Sequence, residues 1–182
     1  MKKYSKTQLL NYLKNIELLC LDADGTMTDG GMYLDDNGVS SKRFFAHDGI
    51  GISMVKHIGI KVAMITTSTT NVMAERGKIL KLDDTLMGVH QKHDAIAELC
   101  KKYNISSKNV IHMGDDINDI LAFNYVGLPI AVANSSATIF PFAKYITNKN
   151  GGDGAVREIC DLIMLAKTGK TYGLPYISNI SQ

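Results

Sequence analysis

The chain has 182 residues, 45% of them hydrophobic and 21% charged, and its 20 Lys and Arg against 18 Asp and Glu leave a formal charge of +2. That length suits one domain with its own core and excludes a second large one. The near balance of charge, with lysines spread along the chain, offers no footprint for nucleic acid or an anionic membrane. No window approaches the roughly 18 consecutive apolar residues of a membrane span, and the start Met1-Lys2-Lys3 leads into no signal-peptide core, so a cytoplasmic location is expected. Cys20, Cys100 and Cys160 are odd in number and set in apolar sequence, which suits reduced core thiols better than disulfides or zinc.

In chain order, Leu9, Leu10, Leu13 and Ile16 predict a helix over 7–16, followed by a buried strand over 18–21. Residues 31–45 read as an inserted hairpin turning at Asn37-Gly38. Then come a helix from Gly49, a strand over 62–65, a helix over 72–80, a short strand over 85–87 and a helix over 95–103. The second half predicts a strand over 110–113, a short helix over 117–123, a strand over 129–132, a brief helix after Ser135, a strand at Tyr145-Ile146 and a helix over 155–165. The polar tail 169–182 shows no firm pattern and reads as flexible, or as lying over a neighbouring subunit's site. Alternating strands and helices predict an α/β fold: a Rossmann-like parallel sheet with helices on both faces, interrupted by the hairpin, all within one domain spanning 1–182.

Ligands of such sheets bind beyond the carboxyl ends of the strands, so the residues standing there carry the chemistry. One strand ends in Asp22-Ala23-Asp24-Gly25-Thr26, another in Thr66-Thr67-Ser68, and a third in Gly114-Asp115-Asp116 with Asp119 close behind. A lone acidic strand end fits a helix cap equally well. Two acidic clusters converging would repel one another unless a cation sat between them, which points to a hard, oxygen-ligated ion such as Mg²⁺ and, with it, a phosphate-bearing substrate.

These motifs, in this order, resemble those of the haloacid dehalogenase superfamily: Asp22-Ala23-Asp24-Gly25-Thr26 the first, Thr66 the second, Lys92 at a helix start the third, and Gly114-Asp115-Asp116 with Asp119 the fourth. Within it the chain is similar to the capless branch containing the 3-deoxy-D-manno-octulosonate 8-phosphate phosphatases, through Thr28-Asp29-Gly30, Asp48-Gly49 with Gly51-Ile52, and above all Gly151-Gly152-Asp153-Gly154-Ala155-Val156-Arg157-Glu158. The resemblance implies a Mg²⁺-dependent phosphatase. Asp22 would be the nucleophile that forms an aspartyl-phosphate, and Asp24 the acid and base. Lys92 and Thr66 would bind the phosphoryl oxygens. The metal would be held by Asp22, the Asp24 carbonyl and Asp115.

Asp116 and Asp119 are expected either to support a metal ligand from behind or to serve as helix-start carboxylates. Arg157 is expected to bind a substrate carboxylate, against the plainer alternative of pairing with Glu158 or Asp161. Lys42, Arg43 and Arg76 read as exposed-face charges. His90 and His93 lie near Lys92 but read as structure, the five histidines showing no metal spacing. The branch also implies a homotetramer built through the hairpin, whose Met32, Tyr33, Leu34, Val39, Phe44 and Phe45 would form an apolar strip, and a place in bacterial surface-polysaccharide synthesis.

The pattern breaks at two places. The resembled phosphatases usually carry Gly-Arg after the second-motif Thr and an Arg before the Asp-Gly turn, whereas this chain has Thr67-Ser68 and His47. Both changes remove positive charge, which leaves another 2-keto-3-deoxy sugar acid, such as the nine-carbon 9-phosphate, as an alternative substrate. A non-catalytic oligomerising scaffold is a third reading, and it would leave an intact set of motif residues idle.

Overall fold

A computed structural model describes residues 3–170 of the chain. Six parallel strands form one sheet in the order β5-β4-β1-β6-β7-β8, with β1 Leu18–Leu21 near its centre, flanked by β4 Lys61–Ile65 and β6 Val110–Gly114. β5 Asp84–Leu86 closes one edge, and β7 Leu128–Ala131 with β8 Tyr145–Ile146 the other. Residues alternate between faces along each strand. Leu19, Leu21, Val62, Met64, Ile111 and Met113 pack into one core, whereas Leu18, Cys20, Ala63, Ile65 and Val110 pack into the other. Both faces are covered, which is why these strands read as continuous apolar runs.

Helices α1 Lys6–Leu13, α2 Ala46–His57, α3 Asn71–Ile79 and α6 Ala155–Thr168 contribute to the first core, with α2 lying along α6 and α6 along α1. On the second face lie α4 Lys92–Tyr103 and α5 Ile120–Tyr125. The three cysteines are buried and free, as their apolar settings predict. Among the described residues no helix is long and apolar enough to cross a membrane.

Strands β2 Tyr33–Leu34 and β3 Ser40–Ser41 pair antiparallel as the predicted hairpin. Asp35 Oδ1 accepts from Asn37 N–H at 2.9 Å and from Val39 N–H at 2.8 Å, closing the turn. Met32, Leu34 and Val39 are 78%, 61% and 59% exposed, so this part of the strip does not pack on its own chain, whereas Phe44 packs against the first core. The brief helix expected after Ser135 is replaced by a 3₁₀ turn, Phe140–Phe142, whose Pro141 has no N–H to extend a helical ladder. Residues 171–182, most of the expected tail, lie outside the described residues.

α2 starts at Ala46, three residues before the predicted Gly49. The tertiary reason is Asp48, which reaches across to the start of α6 and accepts Arg157 N–H at 2.8 Å. That bond anchors a glycine-containing first turn that intrinsic propensity would leave frayed.

Candidate active site

β1 ends as its apolar run ends, and the chain leaves it through Asp22, whose N–H still donates to Met113 O on β6 at 2.9 Å. The exit loop is tight because Ala23 O accepts from both Met27 N–H and Thr28 N–H at 2.9 Å. Gly25 lies in this loop at φ +84°, and a Cβ there would stand 2.0 Å from Asp115 Oδ2. Only glycine allows both that backbone shape and that approach of the neighbouring strand end. The Gly151-Gly152 run presses on the same loop, since a Cβ at Gly151 would meet Gly25 O at 1.7 Å. The most specific motif of the sequence is therefore a backbone-on-backbone brace for the Asp22–Gly25 turn.

Lys92, the first residue of α4, is buried and reaches the same place from the second face of the sheet. Its Nζ donates to Asp22 Oδ1 and to Asp119 Oδ1, each at 2.6 Å. Asp119 enters from the 3₁₀ turn Ile117–Asp119 after β6, and its Oδ1 is also 2.7 Å from His112 Nε2. Its Oδ2 accepts Asp115 N–H at 3.2 Å. Both oxygens of Asp119 are thus engaged by protein donors.

The electrostatics follow from three carboxylates sharing one ammonium. Burial, together with Asp119, pushes Asp22 well above the usual carboxylate range despite Lys92. Burial and Asp119 push Asp115 up to about 6. For Asp119, burial acts upward, but His112 and Lys92 outweigh it and bring it down to about 2. Burial alone would lower Lys92; Asp22 and Asp119 overcome that and raise it.

One oxygen each from Asp22, Asp115 and Asp119 lie within 4.8 Å of one another. A hard-oxygen donor set with uncompensated charge, and a glycine that leaves room beside Asp115, fits Mg²⁺. Asp119 is already engaged by Lys92, His112 and Asp115 N–H, which leaves Asp22 and Asp115 the freer of the three carboxylates to take an ion.

The other expected residues divide. Thr66 is buried at the end of β4, and its Oγ1 accepts Ser68 N–H at 3.1 Å, which leaves its own hydrogen to give. Asp24 turns towards solvent and pairs with Lys42 Nζ at 2.7 Å. Asp116 is exposed and caps its own turn by accepting Ile117 N–H at 2.7 Å, the helix-start alternative, whereas Asp119 is buried. Arg157 donates through Nε to Asp161 Oδ1 at 2.7 Å, the plainer of its two expected pairings, and it lines a cleft with His47, Lys149 and Asp153.

The exposed-face reading of Lys42 and Arg76 is corrected by the structure, whereas Arg43 is exposed as expected. The hairpin carries the largely buried Lys42 to Asp24, Arg43 donates to Gly152 O at 3.0 Å, and Arg76 lies over the Phe44 ring beside Asp48. Each contact joins segments far apart in sequence, and no local pattern announces it. His112 was also missed, although an imidazole inside an apolar strand two residues before Gly114-Asp115 is a signal in itself.

A family model described as haloacid dehalogenase-like hydrolase matches residues 86–159. The chain is 38% identical, over 88% of its length and 86% of the relative's, to a protein of Salmonella typhi named 3-deoxy-D-manno-octulosonate 8-phosphate phosphatase KdsC. Among solved structures it is similar to the phosphatase of that name from Moraxella catarrhalis in complex with magnesium ion, phosphate ion and KDO. The TM-score there is 0.85 at 34% identity, covering 88% of this chain and 92% of that one. It is also similar to the cobalt-bound form of the Haemophilus influenzae enzyme, with TM-score 0.82, 31% identity, and 86% and 91% of the two chains covered. The parallel sheet and the order of its motifs agree with these likenesses, and the chain belongs to the haloacid dehalogenase-like hydrolases, in the family of the 3-deoxy-D-manno-octulosonate 8-phosphate phosphatases.

Proposed function

We propose that the chain hydrolyses 3-deoxy-D-manno-octulosonate 8-phosphate to the free sugar acid and phosphate, through an aspartyl-phosphate on Asp22. The observation that carries this reading is the convergence of Asp22, Lys92 and Asp115 at the mouth of the sheet, in a chain 38% identical to a phosphatase of that name. Asp22 attacks phosphorus in line; the Lys92 bond to Oδ1 fixes the carboxylate and leaves Oδ2 for attack. Two of the three Lys92 hydrogens are engaged, and the third, with the Thr66 hydroxyl, serves the phosphoryl oxygens. Asp24 protonates the departing sugar oxygen and later takes a proton from the attacking water, with Lys42 holding its carboxylate between turns.

Asp22, Asp115 and the Asp24 carbonyl would hold Mg²⁺, which when bound supplies positive charge to the phosphoryl group and screens it from the nucleophile. Arg157 engages Asp161 through Nε, and its terminal NH₂ groups would reach a substrate carboxylate. The same proposal includes a homotetramer, supported by the exposed Met32, Leu34 and Val39 strip, and a cytoplasmic setting. His47 and Thr67-Ser68, each standing where the resembled enzymes carry an extra positive charge nearby, favour a nine-carbon 2-keto-3-deoxy acid 9-phosphate as the second reading.

The test is phosphate release from both sugar-acid phosphates and from common hexose phosphates, with Mg²⁺ or with EDTA. Turnover that favours one sugar acid, needs Mg²⁺ and disappears in Asp22→Asn supports the reading. Turnover that survives Asp22→Asn removes the nucleophile from it.

A further inference from the structure

His112 sits in the middle of β6, between Cys20 of β1 and Pro129 of β7, and is fully buried. Its strand neighbours Val110, Ile111 and Met113 are all apolar, so the packing of β6 asks for no polar side chain. The ring edges against Phe123 at 5.8 Å, with Nε2 on Asp119 Oδ1 at 2.7 Å and Nδ1 buried without a hydrogen-bond partner among the described residues. A nitrogen facing a carboxylate and another facing nothing polar fix the tautomer: the hydrogen is on Nε2.

A buried unpaired nitrogen is unfavourable, and an apolar residue of similar volume would remove it. Such local violations concentrate at functional sites. Asp119 Oδ1, the oxygen His112 engages, is the one that receives Lys92 at 2.6 Å. With Nε2–H and Asp115 N–H on its two oxygens, the Asp119 carboxylate has one orientation, and that orientation sets where Lys92 Nζ stands relative to Asp22. Without His112, Oδ1 would be held by Lys92 alone, and the carboxylate and amine could turn together.

We propose that His112 is a positioning residue, acting through Asp119 to hold Lys92 in register with Asp22 for phosphoryl transfer. This rests on the phosphatase reading above. The experiment compares wild type, His112→Leu and His112→Gln by steady-state hydrolysis of 3-deoxy-D-manno-octulosonate 8-phosphate with Mg²⁺, alongside thermal unfolding. A long-range ¹H–¹⁵N spectrum of the wild-type imidazole accompanies it. Expected are a protonated Nε2 and bare Nδ1, a drop in kcat of about 10–100-fold in His112→Leu with KM within about twofold, and recovery to within about threefold in His112→Gln, whose amide N–H replaces Nε2–H. A proton on Nδ1, full kcat in His112→Leu, or equal losses in both variants that track unfolding temperature would each overturn the proposal. Absence of wild-type turnover would instead count against the phosphatase reading, and the spectrum would still decide the geometry around His112.

Discussion

Replacing Lys92 by Met keeps the length and burial of the side chain and removes the one ammonium shared by Asp22 and Asp119. At 2.6 Å and an effective dielectric constant near 20, each contact is worth roughly 6 kcal/mol of gross attraction, most of it offset by the desolvation of the charges. Stripping one partner from a buried pair costs about 3–5 kcal/mol net, because the remaining charge is left uncompensated. The protein is therefore expected to lose about that much unfolding free energy at pH 7.5 in EDTA.

The loss depends on pH. Asp22 and Asp115 already stand above their unfolded values, and removing Lys92 moves them further up. A carboxyl raised in the folded state gives a penalty that is full above the folded value and vanishes below the unfolded one, so stability rises as pH falls through that window. Asp119 acts oppositely: its lowered value contributes stability above the unfolded range that is lost as pH falls towards about 2. Urea unfolding at pH 7.5 and pH 5.5, with and without Mg²⁺, separates these terms. The Lys92→Met deficit should shrink at pH 5.5 and with Mg²⁺ at pH 7.5. A deficit equal at both pH values and indifferent to Mg²⁺ would mean lost packing, and would refute the electrostatic account.

Gly25→Ala is expected to place a methyl 2.0 Å from Asp115 Oδ2 on a backbone at φ +84°, displacing the metal side of the site and lowering Mg²⁺ affinity by about 10–100-fold in calorimetric titration. A Kd within twofold of wild type would show that Asp115 is not a ligand. Asp48, 2% exposed, is raised by burial to about 6, a shift that corresponds to a penalty of about 3 kcal/mol above that pH and none below about 4. Asp48→Asn retains the acceptor for Arg157 N–H and should flatten the fall of unfolding free energy between pH 4 and 6. An unchanged slope would place that titration elsewhere.

What the sequence disclosed is what local pattern encodes. The apolar runs of β1, β4 and β6 end where their carboxylates and hydroxyl begin, and parallel strands bring those ends to one edge by topology alone. Lys92 was legible only through its place in the order of motifs, since nothing about a lysine at a helix start predicts that it is buried. The partners of Lys42 and His112 were illegible for a different reason, even though an imidazole in an apolar strand stands out. Those partners, Asp24 and Asp119, lie 18 and 7 residues away, and which contact forms depends on the path of the hairpin and on the packing of α5 over β6. Asp116 and Asp119 are the same residue type in one motif, and they part because one faces water at the turn and the other faces the sheet.

The charge balance of the site links these observations to substrate binding. Asp24 and Lys42 neutralise each other, but among the described residues Asp22, Asp115 and Asp119 share Lys92 alone, which leaves the centre short of positive charge. A phosphate dianion brought to such a place is repelled until a divalent cation corrects the deficit. Metal and substrate binding are then thermodynamically coupled, each strengthening the other by the same factor. The contribution of His112 to this balance is to keep the ammonium where both carboxylates can use it. A buried imidazole with an idle nitrogen is, on this argument, what the chain retains so that one lysine can serve two aspartates at once.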